Sequence, residues 1–318
     1  MKTKRAFVSE IGKISFREEE THKLGDHKVL LKVKSCGLCN WELNHWRGNI
    51  VPPQTIGHEC SGIVAEIGSK VNNCKVGDRV AVLIDFIDGF SEYTVVSDCN
   101  VFKINDEIEM ETFVLEPVKC VVTVTTAAAP NPGDIGVILG SGSMGLWTTQ
   151  ILSGNMLSAL IVVDIDDNKL ALAKKYGATH VLNSNKINVS EEISKISNGH
   201  MADFVIEGTG VSRLINEAMS YLKNARGRLI IMSSYEDLIK EFDTKTAVKK
   251  CIELKVAHPS FSTTPEDDAR RAAELINNGQ VKMEDIVTHR FKFEDIETGF
   301  KALESKKDGY LKGVVIFD

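Results

Sequence analysis

The sequence predicts an α/β protein made of a β-rich module joined to a doubly wound parallel sheet. Three observations carry that reading. At 318 residues the chain exceeds the span that one hydrophobic core usually organises, so two domains are expected. Up to about residue 117, short strands alternate with turn signals. After Pro130-Asn131-Pro132-Gly133 the rhythm becomes apolar strand, helix, apolar strand.

Taken in order, residues 29–35 alternate as a half-buried strand does, and strands at 63–67 and 79–84 follow. Gly62, Gly68, Gly77-Asp78 and Asp88-Gly89 punctuate them, which suits a small barrel. Residues 136–139, 159–163, 203–206 and 228–232 are apolar almost throughout, the mark of parallel strands covered on both faces. The helices between them have readable ends. The stretch 170–176 stops at Gly177, which can take the left-handed cap conformation. Thr264-Pro265-Glu266-Asp267 supplies an N-cap, a first-turn proline and dipole-favoured acids for a helix that Gly279 ends. The last strand, 312–317, is expected to return to the first module. The boundaries that follow are 1–118 for the β-rich domain, 119–257 for the parallel-sheet domain and 258–318 for the returning segment.

Composition excludes several classes. With 43% hydrophobic and 26% charged residues, and no apolar run of membrane-spanning length, a bilayer span is not expected. The net charge of −6, without a basic cluster, removes the footprint of nucleic-acid binding. Seven scattered cysteines suit reduced thiols, and the basic N-terminus lacks an apolar signal region, so the cytoplasm is the expected location.

Gly140-Ser141-Gly142-Ser143-Met144-Gly145 directly follows the apolar run 136–139 and opens a helical stretch. A GxGxxG string alone is weak; a strand before it, a helix after it and a second strand ending in an acid make the dinucleotide fingerprint. Asp164, 24 residues after Gly140, is placed to accept hydrogen bonds from the adenosine ribose. A carboxylate there repels a 2′-phosphate and no arginine follows, which favours NAD(H) over NADP(H). Lys169 could reach the same ribose, while Asp166 and Asp167 read as a solvated first helical turn. Glu207-Gly208-Thr209-Gly210 ends another parallel strand, so its backbone is expected near the dinucleotide.

Cys39, His58, Glu59 and Glu116 are the donor types a catalytic zinc takes. The pair Cys36/Cys39 has no second C-x-x-C unit with which to close a structural site. His58 and Glu59 are neighbours, and adjacent side chains on a regular strand diverge, so joint coordination needs a bend that Gly57 could supply.

The motifs Cys36-Gly37-Leu38-Cys39, Gly57-His58-Glu59, Gly77-Asp78-Arg79-Val80, Gly89-Phe90-Ser91-Glu92-Tyr93, Leu115-Glu116-Pro117 and the glycine-rich loop occur in the order seen in zinc-containing medium-chain dehydrogenases. Across essentially its whole length the chain resembles that family, and within it the sorbitol, threonine and related polyol branch. The resemblance implies a GroES-like catalytic domain, a Rossmann NAD-binding domain and a C-terminal segment completing the former. It implies Cys39, His58 and Glu59 as zinc ligands with Glu116 alternating, and homodimers or homotetramers. Two departures stand out. The four-cysteine lobe of a structural zinc is absent, which implies one zinc per subunit. The hydroxyl residue two positions after the ligand cysteine is Trp41, leaving His45 as the candidate for proton exit, while Glu42 matches the carboxylate that orients the ligand histidine.

The activity so implied is hydride transfer between a secondary alcohol or polyol, or the corresponding ketone, and NAD(H), with zinc as a Lewis acid. Two alternatives stay open: a thiol oxidoreductase using Cys36/Cys39, and a nucleotide-binding sensor that has lost turnover, the reading Trp41 keeps alive. Trp41 and Trp46 could line a pocket or belong to the core, and His258 and Lys312 are weaker candidates, Lys312 for the pyrophosphate charge.

Overall fold

A seven-stranded sheet dominates the first unit, built from residues 1–119 and 269–318 of a computed structural model that describes residues 1–235 and 238–318. Its path runs Val287–Lys292, Lys312–Ile316, Lys28–Gly37, Glu59–Ile67, Arg79–Leu83, Val101–Lys103, and Tyr93–Ser97 also pairs with Lys28–Gly37. The returning strand Lys312–Ile316 lies antiparallel to Lys28–Gly37, with Val315 opposite Cys36. The ladder between Lys28–Gly37 and Glu59–Ile67 shifts register twice, between Leu30 and Leu31 and between Val33 and Ser35. Such irregularities bend a strand and re-aim its side chains, here just before Cys36 and Cys39. Ala6, Val8, Leu31, Val33, Ile56, Val80, Phe90 and Phe300 form the core beneath this sheet.

The second unit, residues 120–268, holds a six-stranded parallel sheet. Its members are Ile135–Leu139, Ala159–Asp164, His180–Asn183, Phe204–Glu207, Arg228–Ile231 and Glu253–Val256. Numbered along the chain within the sheet, their order is 3-2-1-4-5-6, that of a Rossmann fold. The central strands are apolar because helices cover both faces, and every residue of 159–163 is buried. Asp166 caps the helix Asp167–Lys175 by accepting from Asn168 N–H, and Gly177, with φ +103°, follows its end.

Several expected boundaries move. A hairpin, Lys2–Glu10 with Lys13–Glu20, precedes the strands that alternation reveals. Residues 115–128 form one helix, and the two units divide within it at 119/120, one residue from the expected break. The break expected after 257 instead falls inside the second unit, which runs to residue 268. The physical tie is a buried one: Asp268, in the first turn of the helix Pro265–Asn277, accepts a 2.8 Å hydrogen bond from the Thr123 hydroxyl. Among the described residues no helix is long and apolar enough to cross a membrane.

Candidate metal and nucleotide sites

In the first unit, one ligand atom from each of Cys39, His58 and Glu59 lies within 4.8 Å of the others. Cys39 caps the helix Asn40–Trp46, and its sulfur accepts from Trp41 N–H at 3.5 Å. His58 precedes the strand Glu59–Ile67, and Gly57 before it has φ +101°. That left-handed turn is open to glycine alone, because a Cβ there would sit 2.4 Å from Phe90 N. His58 and Glu59 therefore do not diverge as they would on a regular strand. Gly37 makes room for Glu59, whose Oε2 lies 1.9 Å from where a Cβ on residue 37 would stand.

Glu42, wholly buried on the helix Asn40–Trp46, accepts from His58 Nδ1 at 2.5 Å and from Gly57 N–H at 3.2 Å. This holds the ring and leaves Nε2 toward Glu116, whose Oε2 is 3.8 Å away. Burial opposes the charged imidazole, but the Glu42 carboxylate and Cys39 thiol outweigh it, so His58 is held well above the usual histidine range. Lys119 Nζ stands 3.7 Å from the other Glu116 oxygen. Lys312 is buried, not a surface lysine, and its ammonium meets both Glu59 oxygens, at 2.7 and 2.6 Å. Burial alone would lower its pKa, yet Glu59 and Cys39 hold it above the ordinary lysine value. The sequence gives no warning of this pair, whose partners are 253 residues apart.

Trp41 is 43% exposed, its ring edge-on to His58 at 5.6 Å between centroids and 3.8 Å from His45. His45 is buried beneath it, with no hydrogen-bond partner on either ring nitrogen among the described residues. Trp46 belongs to the core, stacked on Phe300. The Cys36 thiol is buried against Cys60, 3.5 Å away and directly opposite on the neighbouring strand. A buried thiol lacks the exposure that disulfide exchange requires.

In the second unit the three glycines differ as the fingerprint demands. Gly140 turns with φ +92° at the end of Ile135–Leu139. Gly142 caps the helix Ser143–Leu152, where an added Cβ would meet nothing within 4 Å. A Cβ on Gly145 would lie 1.9 Å from Gly140 O, so helix and turn touch backbone to backbone. Ser143, Met144 and Gly145 form the first turn, whose N–H groups lack intrahelical partners. Asp164 accepts at one oxygen from Ser141 N–H (2.7 Å) and hydroxyl (2.9 Å), and at the other from Ile165 and Asp166 N–H. Gly208 and Thr209 approach Gly140, as the ends of adjacent strands at a switch point do. Lys169 stands in the helix Asp167–Lys175, Asp167 bonds Asn183 and Lys186, and the ring of exposed His258 bonds its near neighbour Ser260.

Residues 25–106 match the alcohol dehydrogenase GroES-like domain and residues 143–278 the zinc-binding dehydrogenase domain. The chain is 29% identical to a probable D-xylulose reductase A of Arthroderma otae, over 95% of this chain and 94% of that one. It is 27% identical to an L-threonine 3-dehydrogenase of Bacillus velezensis, over 93% of each. The crystal structure of 2R,3R-butanediol dehydrogenase from Bacillus subtilis matches with a TM-score of 0.84 at 26% identity, covering 99% of this chain and 100% of that one. The chain belongs to the zinc-containing medium-chain dehydrogenases, alongside their polyol branch. It is an oxidoreductase of alcohols or polyols that works with a nicotinamide dinucleotide.

Proposed function

We propose that the chain exchanges a hydride between a secondary alcohol of a polyol, or the matching ketone, and NAD(H), at a single zinc held by Cys39 and His58 with Glu59 and Glu116 as exchanging acids. The convergence of Cys39, His58 and Glu59 within 4.8 Å carries this reading. The donors fit the ion. Tetrahedral zinc with bonds of about 2.0–2.3 Å sets its ligands roughly 3.3–3.8 Å apart, a contraction side-chain rotation supplies. One thiolate, one imidazole and one carboxylate at a time leave a fourth position open, as a catalytic site requires. Zinc, when bound, supplies a Lewis acid for the oxygen of the alcohol or ketone.

The chain's own residues do the rest. Glu42 orients His58, and His45 carries the proton outward; a buried imidazole bonded to no protein group is one whose partner is water or substrate. Gly140, Gly142 and Gly145 seat the pyrophosphate at the helix N-terminus. Asp164 receives the adenosine ribose. All four of its lone-pair directions are taken, and only the Ser141 hydroxyl among its donors can rotate away, so Ser141 yields as the ribose arrives. The same charge favours NAD over NADP.

The absence of a structural zinc is supported by residues 84–92, which close their own short connection. Asp85 bonds Lys28, Ser97 and Asn100, and Asp88 pairs with Arg5 at 2.8 Å. Homodimers or homotetramers are supported by the open sheet edge Glu253–Val256, where Leu254 and Val256 are 48% and 56% exposed. A cytoplasmic location is supported by cysteines that form no disulfide among the described residues.

Metal analysis combined with a polyol and ketone screen tests the reading. We expect one zinc per chain, NADH formation that chelation abolishes, loss of zinc in Cys39→Ser, and retention in Cys36→Ser. Full turnover by metal-stripped protein would defeat it, and zinc-loaded protein silent on the whole panel would favour the sensor.

A further inference from the structure

The two acids beside Cys39 and His58 are not equivalent, because each has its own lysine at a different distance. Lys312 Nζ bridges both oxygens of Glu59 at 2.6 and 2.7 Å. Lys119 Nζ stands about 1 Å further from Glu116, at 3.7 Å. The Lys312–Glu59 pair has side-chain exposures of only 7% and 1%, so neither water nor a surface ion can replace either partner cheaply. Its geometry is enforced from both sides. Gly37 alone leaves space for the Glu59 carboxylate, and Gly313, next to Lys312, lies so close to the Tyr310 hydroxyl that a Cβ would come within 2.6 Å of it. Lys312 sits on the strand Lys312–Ile316, which is clamped between Lys28–Gly37 and Val287–Lys292. The ammonium cannot swing out to solvent without breaking that strand's packing.

A carboxylate bridged by an ammonium has its charge already compensated, and a metal can take one of its oxygens only by sharing or displacing the cation. We propose that Lys312 is a positioning residue that competes with the metal for Glu59 and so keeps this acid an exchangeable ligand instead of a permanent one. The inference rests on the metal reading above. Without Lys312 the buried Glu59 charge loses the ammonium that bridges both its oxygens, and the metal becomes the cation best placed to replace it. Glu59 then locks on, the metal is held more tightly, and whenever Glu116 also binds, the position that substrate needs is closed because Glu59 no longer yields it. Affinity and turnover move in opposite directions, whereas a merely structural defect lowers both.

The test measures zinc affinity by chelator competition, the visible spectrum of the cobalt-substituted protein, and turnover. In Lys312→Met, zinc affinity should rise at least tenfold, the cobalt spectrum should change, and kcat should fall at least tenfold. Lys312→Gln carries the same expectation if Lys312→Met is insoluble, and Lys312→Arg should restore parental behaviour to within threefold. On a Glu59→Gln background, Lys312→Gln should leave the cobalt spectrum of the single variant unchanged, since the route runs through Glu59. A parent that takes up no metal defeats the metal reading itself. A metal-binding parent whose folded Lys312 variants show unchanged or weaker zinc affinity, or a parental cobalt spectrum, overturns the role of Lys312.

Discussion

Gly142→Ala separates a nucleotide seat from a glycine kept for folding. Gly142 has φ −69° and ψ −175°, which alanine adopts without strain, and its added Cβ would find no protein atom within 4 Å. Stability should therefore hold or rise by about 0.4–1 kcal/mol through the stiffer unfolded chain. A pyrophosphate drawn onto this helix start must instead retreat from the new methyl. Losing one charge-assisted hydrogen bond to a backbone N–H costs about 1.5–3 kcal/mol. That corresponds to roughly 10- to 100-fold weaker NADH binding. Gly145→Ala is the contrast, since its Cβ would stand 1.9 Å from Gly140 O, a backbone atom that cannot step aside. It should lose about 1–3 kcal/mol or more of stability as well as nucleotide affinity. Fluorescence titration with NADH and thermal unfolding measure both quantities on the same samples. If Gly142→Ala binds NADH within threefold of the parent, the pyrophosphate does not sit on this turn.

Three further outcomes are expected. His45→Gln should lower kcat for alcohol oxidation about tenfold or more near neutral pH and remove the acid limb of the parental pH–rate profile; burial holds the His45 pKa below the ordinary histidine value, so the limb should lie below about 6.5, and superimposable profiles would refute the proton route. Asp88→Ala leaves the buried Arg5 guanidinium with only Glu19 and should cost about 3 kcal/mol in urea unfolding, a loss under about 1 kcal/mol contradicting the account of residues 84–92. Burial would raise the Asp85 pKa, but Lys28, Ser97 and Asn100 hold it below the usual value, so its stabilisation is present above the unfolded pKa of about 3.9 and is lost as pH falls through the lower folded one. Asp85→Asn should cost about 1–2 kcal/mol at pH 7, with the gap narrowing in acid; a gap that does not shrink as the pH falls would rule this out.

What the sequence makes legible here is short-range. Gly140, Gly142 and Gly145 announce a strand, turn and helix because each glycine answers a local steric demand. Gly57-His58-Glu59 is readable for the same reason, since a left-handed glycine beside two donors implies a bend. The β-rich and parallel-sheet units follow from strand character, and the GroES-like identity of the first from the family resemblance that motif order carries. Less was visible wherever the cause lies far along the chain. The hairpin Lys2–Glu10 and Lys13–Glu20 carries many charged residues and hides from alternation, and the helix Leu115–Ala128 runs unbroken through the expected domain boundary. Trp41 reads as a missing hydroxyl, but only coordinates reveal that it roofs His45. Lys312 is the extreme case, because a lysine is ordinarily a surface residue and its carboxylate is contributed by a distant strand.

That distance has a consequence for how the molecule comes into being. The second unit is one continuous stretch, 120–268, whose contacts are all available once that stretch has been synthesised. The first unit is not, since Lys28–Gly37 must wait for Lys312–Ile316 to arrive from the far end of the chain. During synthesis, then, Cys39, His58 and Glu59 exist for a long interval as donors without their internal cation. The finished surroundings of these donors are therefore assembled only when the last strand docks, which closes the sheet and delivers the Lys312 ammonium to Glu59 in one event.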